Sequence, residues 1–316
     1  MTASQGRGEE RAAQGAEGAA PSATRRATVH DWIEGARLRT LPLGIASVLL
    51  GAGAAAAANG ADMLLAILAL LLALSIQIGV NFANDYSDGI RGTDRHRVGP
   101  ARLTGGGLAR PGTVLKVAMG FFALAAVSGF ALVAISGTWW LLAVGAAAIA
   151  AAWFYTGGKC PYGYAGLGEA SVFLFFGLVA TLGTTYVQLG AITLLSAGAA
   201  VASGSYACGV LMINNIRDIA SDQASGKRTL AVRLGAPRAR AVYLLFVLIP
   251  YFLLIPMAYM ELGSLLALAS LPLAALAVRA AFRPRSPKDL VRSLKLTSIG
   301  TLLYAALASL GWWAGL

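Results

Sequence analysis

The chain has 316 residues, of which 57% are hydrophobic and only 12% charged, and its formal net charge is +11. A soluble domain carries about 25% charged residues, so with a mean hydropathy of +0.69 a soluble globular enzyme is excluded. The only cysteines, Cys160 and Cys208, exclude a disulfide scaffold and a Cys-rich zinc site.

Residues 1–36 are rich in Ala, Gly, Ser, Glu and Arg and hold no apolar run. They read as a disordered cytoplasmic tail rather than a signal peptide. From Leu41 onward apolar stretches recur at lengths that suit a bilayer-crossing helix, which needs about 20 residues. They fall at 41–59, 63–84, 114–135, 139–155, 168–187, 191–216, 241–260, 262–282 and 296–315. The predicted fold is therefore all-α, a polytopic membrane helix bundle of about nine transmembrane helices occupying residues 37–316.

Charge supports this count. With the N-terminus in the cytoplasm, all 25 Lys and Arg fall in the tail and in the connections 2–3, 4–5, 6–7 and 8–9. The outside connections carry only Asp62 and Glu261 as charges. This is the positive-inside pattern, so the net charge reports topology first and gives no reason to expect a nucleic-acid partner. Trp139, Trp140, Trp312 and Trp313 fall at outside helix ends, where an interfacial aromatic belt is expected.

The acids point to chemistry. Asn81, Asn84, Asp85 and Asp88 close the second span, and Asn214, Asn215, Asp218 and Asp222 close the sixth. Asn81, Asp85 and Asp88 share one helix face by spacing, as do Asn214, Asp218 and Asp222. An Asp at membrane depth costs about 2.5–3.5 kcal/mol on insertion scales, and a divalent cation removes that penalty. Mg²⁺ takes hard oxygen ligands and is usually held by one or two carboxylates plus substrate phosphates. Two such clusters on one membrane side could hold Mg²⁺ on a diphosphate, with Arg and Lys of the adjoining loops taking the remaining phosphate charge. Solvated helix ends are the plainer alternative, but the helix dipole disfavours acids at a C-terminus.

Three stretches carry a family resemblance: NFANDYSDGIRGTD from Asn81, YTGGKCPYGYAGLGEASVFLFFG from Tyr155, and NNIRDIASDQASGKRTLAVRLG from Asn214. Arg39-Thr40-Leu41-Pro42 fits as well. The chain resembles the UbiA superfamily of intramembrane aromatic prenyltransferases over roughly residues 32–316 and, within it, the 1,4-dihydroxy-2-naphthoate polyprenyltransferases of menaquinone synthesis. The resemblance implies transfer of a polyprenyl group from polyprenyl diphosphate to 1,4-dihydroxy-2-naphthoate, with loss of CO₂ and diphosphate, in the cell membrane with the active site facing the cytoplasm.

It further implies Mg²⁺ on Asp85, Asp88, Asp218 and Asp222, with Asn81, Asn84 and Asn214 as neutral ligands or supporting partners. Lys159 takes a catalytic role by the same resemblance. Lys227 and Arg228 would bind the diphosphate. Arg91, Asp94 and Arg97 are further candidates, with a solvated-loop reading beside them. Tyr155, Tyr162 and Glu169 would serve the aromatic acceptor. Phe173, Phe175 and Phe176 read first as packing and second as the lining of a prenyl tunnel, and Cys160 and Cys208 read as structural.

Two alternatives stay open. Sister enzymes use other acceptors, such as 4-hydroxybenzoate. A cation-coupled transporter would also place acids in the membrane, although it needs polar groups along a route to both faces, and the outside half of this chain is nearly bare.

Overall fold

A computed structural model describes residues 25–93 and 102–315, and every regular element among them is helical. In chain order these are α1 (Val29–Gly35), α2 (Leu41–Ala57), α3 (Met63–Arg91), α4 (Pro111–Ser136) and α5 (Leu141–Phe154). They continue as α6 (Gly168–Leu189), α7 (Leu194–Ala224), α8 (Leu230–Met260), α9 (Leu262–Phe282) and α10 (Pro287–Trp313). Short 3₁₀ turns at Leu38–Thr40 and Tyr162–Ala165 join α1 to α2 and lie between α5 and α6.

Among the described residues eight helices, taking Val29–Ala57 as one, are long and apolar enough to cross a membrane. The predicted span 139–155 is α5, which has only 14 residues because Trp139 and Trp140 lie in the turn before it. At 1.5 Å per residue it is about 21 Å long, short of the roughly 30 Å hydrocarbon core. Two other boundaries move further. Helix α3 runs to Arg91 and α7 to Ala224, so both acidic clusters lie inside helices rather than beyond them.

The tail boundary is also corrected. Residues 29–35 are helical, not disordered, because Thr28 and Asp31 form a capping box, each side chain accepting the other's backbone N–H, which satisfies donors a helix start leaves open. Trp32 then packs on Phe82 of α3, ring centroids 5.8 Å apart.

Helix α7 sits at the centre, packed against α2, α8, α10 and α6. Its buried face is made of small residues, among them Ala199, Ala200, Ser203, Gly204 and Ala207, as expected where lipid supplies no hydrophobic drive and close packing must hold helices together. A Cβ on Gly177 of α6 would lie 2.4 Å from Cα of Gly204. The α6 backbone widens into a π turn over Phe173–Val179 at this crossing. There the Ser47 hydroxyl of α2 donates to the Phe176 carbonyl at 2.6 Å, so a backbone group loosened from the regular ladder still finds a partner. Tyr206, Tyr251 and Tyr304 meet edge to face.

Trp139, Trp140 and Trp313 are exposed, as an aromatic belt requires, but Trp312 is not part of it. Trp312 is buried and its indole N–H donates to Ser264 Oγ at 2.8 Å; a buried ring needs that partner, and α9 provides it. Beside it, a Cβ on Gly311 would fall 2.3 Å from the Gly263 carbonyl oxygen. Gly311→Ala should therefore force α9 and α10 apart, at about 1–3 kcal/mol for overpacking. Its thermal unfolding midpoint in detergent should drop clearly, whereas Gly120→Ala, with nothing within 4 Å of the added methyl, should not fall below wild type.

Candidate active site

A cavity of about 760 Å³ opens among α3, α4, α5, α6 and α7. One end is polar and lies where α3 and α7 carry their acids; the other is apolar and reaches Trp140, Tyr186 and Ile192. The polar end is lined by Asp88 and Asn84 from α3, by Asn214, Asn215, Arg217, Asp218 and Asp222 from α7, and by Lys227 from the loop after it. Arg37, Arg39 and Arg102 add positive charge. The two clusters that the sequence places on separate spans thus share one chamber.

Within α3 the roles divide. Asp88 is 4% exposed and lines the cavity. Its Oδ1 accepts the Tyr164 hydroxyl, and its Oδ2 accepts the Lys227 ammonium at 3.2 Å. Asp85 points elsewhere. It is fully buried and does not line the cavity; its oxygens accept the backbone N–H groups of Leu103 (3.0 Å) and Thr104 (2.8 Å). In this arrangement Asp85 anchors the chain after the α3–α4 connection and stands back from the chamber that Asp88 lines. Asn81 donates its amide to the Ala36 carbonyl at 2.9 Å, leaving its own oxygen to the cavity it lines. Asn84 instead has its oxygen engaged by the Thr156 hydroxyl at 2.7 Å, so it offers the cavity N–H donors, which suit an anion and not a metal.

On α7, Arg217 clasps Asp218 through Nε and Nη2 at 2.7 and 2.6 Å and also donates to Asn214 Oδ1 at 2.9 Å. This fork geometry makes a strong pair. Glu169 is buried and does not line the cavity, but its Oε1 accepts Asn215 Nδ2 at 3.1 Å, and Asn215 does face the chamber. Asn215 thus connects Glu169 to the chamber.

The α5–α6 connection closes the polar end. Tyr155 and Tyr162 both line the cavity, in an edge-to-face pair 5.5 Å apart. Burial raises the pKa of the Tyr164 phenol above its ordinary value, and the neighbouring Asp88 carboxylate adds to the rise, so the phenol keeps its proton and donates it. Lys159 is exposed and does not line the chamber. Arg228 is exposed too and meets the site only through its backbone, while Arg91 is spent on the carbonyls of Thr156 and Gly158. Asp94 and Arg97 lie outside the described residues. Phe175 and Phe176 line the cavity, whereas Phe173 packs on Gly204; Cys208 is buried and Cys160 exposed.

Sequence reasoning passed over Arg217, Arg102, Thr156 and Tyr164. Arg217 stands between Asn214 and Asp218 in the same motif, a signal obscured because it also counts among the orientation charges of its connection. Among the described residues no three acidic, His or Cys side chains converge enough to hold a metal ion unaided. The cavity offers Asp88 from one wall, Asp218 and Asp222 from the other, and the Asn81 oxygen, all hard donors. That set fits Mg²⁺, which commonly takes one or two carboxylates and completes its shell with water and substrate phosphate.

Residues 45–307 match the UbiA prenyltransferase family. Among curated relatives, the 1,4-dihydroxy-2-naphthoate octaprenyltransferase of Mycobacterium tuberculosis is 46% identical over 279 residues, covering 88% of this chain and 95% of the relative. Among solved structures, a UbiA homologue from Aeropyrum pernix K1 superposes with a TM-score of 0.66 at 16% identity, covering 89% of this chain and 98% of that one. A UbiA homologue from Archaeoglobus fulgidus bound to GPP and Mg²⁺ gives 0.54 at 16% identity, covering 87% and 99%. At such identity the two structures speak for the fold alone.

The division of labour within α3 has a direct test. Asp85→Asn keeps one backbone acceptor and Asp85→Ala none, and hydrogen bonds to a charged group contribute about 1.5–3 kcal/mol. Thermal unfolding should therefore fall in the order wild type, Asn, Ala; an Asp85→Ala protein as stable as wild type would remove the anchoring role.

Proposed function

Because the chain belongs to the UbiA prenyltransferase family, we propose that it transfers a polyprenyl group from polyprenyl diphosphate to 1,4-dihydroxy-2-naphthoate. The observation that carries this reading is the shared chamber: Asp88, Asp218 and Asp222 line one cavity that also offers apolar room for an isoprenoid chain. The high identity to a naphthoate octaprenyltransferase supports the acceptor.

Asp88, Asp218 and Asp222, with Asn81, would hold Mg²⁺, which neutralises the diphosphate and so eases its departure. The chain's own cations act on the same charge. Lys227, Arg217 and Arg102 line the chamber where the diphosphate leaves, and fixed charges in a water-poor site stabilise developing anion strongly. Asn84 adds N–H donors. The C–O bond of the prenyl diphosphate breaks and its electron pair leaves with the phosphate oxygen, generating an allylic cation. The acceptor ring attacks through the carbon bearing its carboxylate; a C–C bond forms, CO₂ is lost, and the ring electrons restore the aromatic demethylmenaquinol. Apolar walls such as Ile149, Val172 and Phe176 keep water from the cation, which it would otherwise quench. Tyr155 and Tyr162 give the acceptor an aromatic wall.

The polar end lies on the side of the basic connections, and the positive-inside rule places that side in the cytoplasm. Diphosphate and naphthoate would then enter from the cytoplasm while the tail stays in the bilayer.

The test is an assay of purified chain in nanodiscs with a polyprenyl diphosphate and either 1,4-dihydroxy-2-naphthoate or 4-hydroxybenzoate. Mg²⁺-dependent prenylation with CO₂ release is expected on the naphthoate, abolished by EDTA and reduced roughly 100-fold or more in Asp88→Asn and Asp218→Asn, the scale seen when one stabiliser of transition-state charge is removed. Turnover on the benzoate alone would overturn the acceptor assignment.

A further inference from the structure

Tyr164 belongs to neither acidic cluster, yet it touches both sides of the site. Its hydroxyl donates to Asp88 Oδ1, and the Lys227 ammonium stands 4.5 Å from the centroid of its ring. Lys227 in turn donates to the second oxygen of the same carboxylate, Asp88 Oδ2, at 3.2 Å. The three side chains close a ring of contacts that links α3, the α5–α6 connection and the loop after α7.

The tyrosine is itself held on every side. It sits in the Tyr162–Ala165 turn, where its N–H donates to the Pro161 carbonyl at 3.1 Å and its carbonyl accepts the Arg228 N–H at 2.9 Å. Arg233 Nη2 donates to the next carbonyl, that of Ala165, at 2.7 Å. The turn ends on Gly166 with φ of 82°, and a Cβ there would meet Arg233 Nε at 3.0 Å and the Arg228 carbonyl oxygen at 3.1 Å. Only glycine permits that conformation and that approach together. Arg91, anchored on two carbonyls of the same connection, lies 5.7 Å from the ring centroid. Tyr162 cannot substitute, since its hydroxyl donates to the Ala151 carbonyl at 2.7 Å.

We propose that Tyr164 is a positioning residue for metal and diphosphate together: its hydroxyl sets the Asp88 carboxylate and its ring seats the Lys227 ammonium. The inference rests on the reading of this chamber as a Mg²⁺ and diphosphate site. A carboxylate ligand needs an outer partner to fix its orientation, and loss of such a partner typically costs 10- to 100-fold in metal affinity. A lysine is a point charge on a flexible four-carbon stem, so it needs a seat if it is to meet a phosphate reliably; an aromatic face within about 6 Å supplies one. The two functions reside in different parts of one side chain and separate on substitution.

Tyr164→Phe removes the hydroxyl and keeps the seat; Tyr164→Leu removes both. The measurement is an electron paramagnetic resonance titration of Mn²⁺, in place of Mg²⁺, into the full chain in nanodiscs with inorganic pyrophosphate present. It is paired with KM for the polyprenyl diphosphate and with thermal unfolding. Tyr164→Phe should weaken Mn²⁺ binding about 10-fold and leave KM, measured at saturating Mg²⁺, unchanged. Tyr164→Leu should weaken Mn²⁺ binding equally and raise KM as well, as should Lys227→Met. Wild-type Mn²⁺ affinity in Tyr164→Phe would overturn the inference while the site reading stands. So would Phe and Leu variants that both unfold earlier without the split between metal affinity and KM. A wild-type chain that neither binds Mn²⁺ with pyrophosphate nor transfers a prenyl group would instead defeat the site reading, and this inference with it.

Discussion

The C-terminal ends of α3 and α7 carry buried acids in a helix bundle whose surroundings are largely hydrocarbon, and Asp85, Asp88 and Asp218 each have a partner that keeps them tolerable there. An isolated carboxylate at such depth is costly. Asp88 is held by Tyr164 and Lys227, Asp218 by Arg217, and Asp85 by two backbone N–H groups. These contacts come from segments far apart in sequence, so the acids also act as ties. Asp85 fixes the chain entering α4, and Asp88 draws the α5–α6 connection and the α7–α8 loop onto α3. Charge compensation and architecture are the same set of bonds.

Around that end, the bundle is built for close approach. Small residues along α7 let α6 come near enough for Gly177 and Gly204 to touch, and the π turn at this crossing carries Phe175 and Phe176 of the cavity wall. The Ser47 hydroxyl satisfies the displaced carbonyl, so the irregularity is supported by a second helix. The apolar part of the cavity is therefore walled by packing against α7, the helix that also carries Asp218 and Asp222.

Most of the architecture was legible in the sequence because a bilayer imposes one length and one polarity on every span. The apolar runs, the one-sided basic charge and the two matching Asn-Asp clusters each follow from rules that need no knowledge of neighbours. What the sequence could not convey was direction. Helical spacing puts Asn81, Asp85 and Asp88 on one face, but not whether a backbone N–H or a cavity meets each of them, and Asp85 proved to face the backbone. Arg217 was legible as a charge and not as the clasp on Asp218. Lys159 lies in a stretch similar to the family pattern, yet the turn leaves it exposed. Trp312 and Trp313 are adjacent in sequence and a helix turns about 100° between them, so one enters the core while the other faces outward. Residues 29–35 looked like tail because seven residues hold too little apolar pattern to show; their order comes from a cap and from Trp32 on Phe82.

The cavity extends from Asp88 at one end of the bundle to the Trp140–Tyr186 pair at the other, where the two rings meet edge to face 5.4 Å apart. Its long axis thus follows the helices rather than crossing them. A molecule held with its polar head at Asp88 and its chain towards Trp140 lies as an amphiphile lies in a bilayer, head at one interface and tail in oil. Release to the bilayer then needs a sideways step between helices and no passage of the head through hydrocarbon, so the orientation in which a product is made is already the orientation in which the membrane would store it.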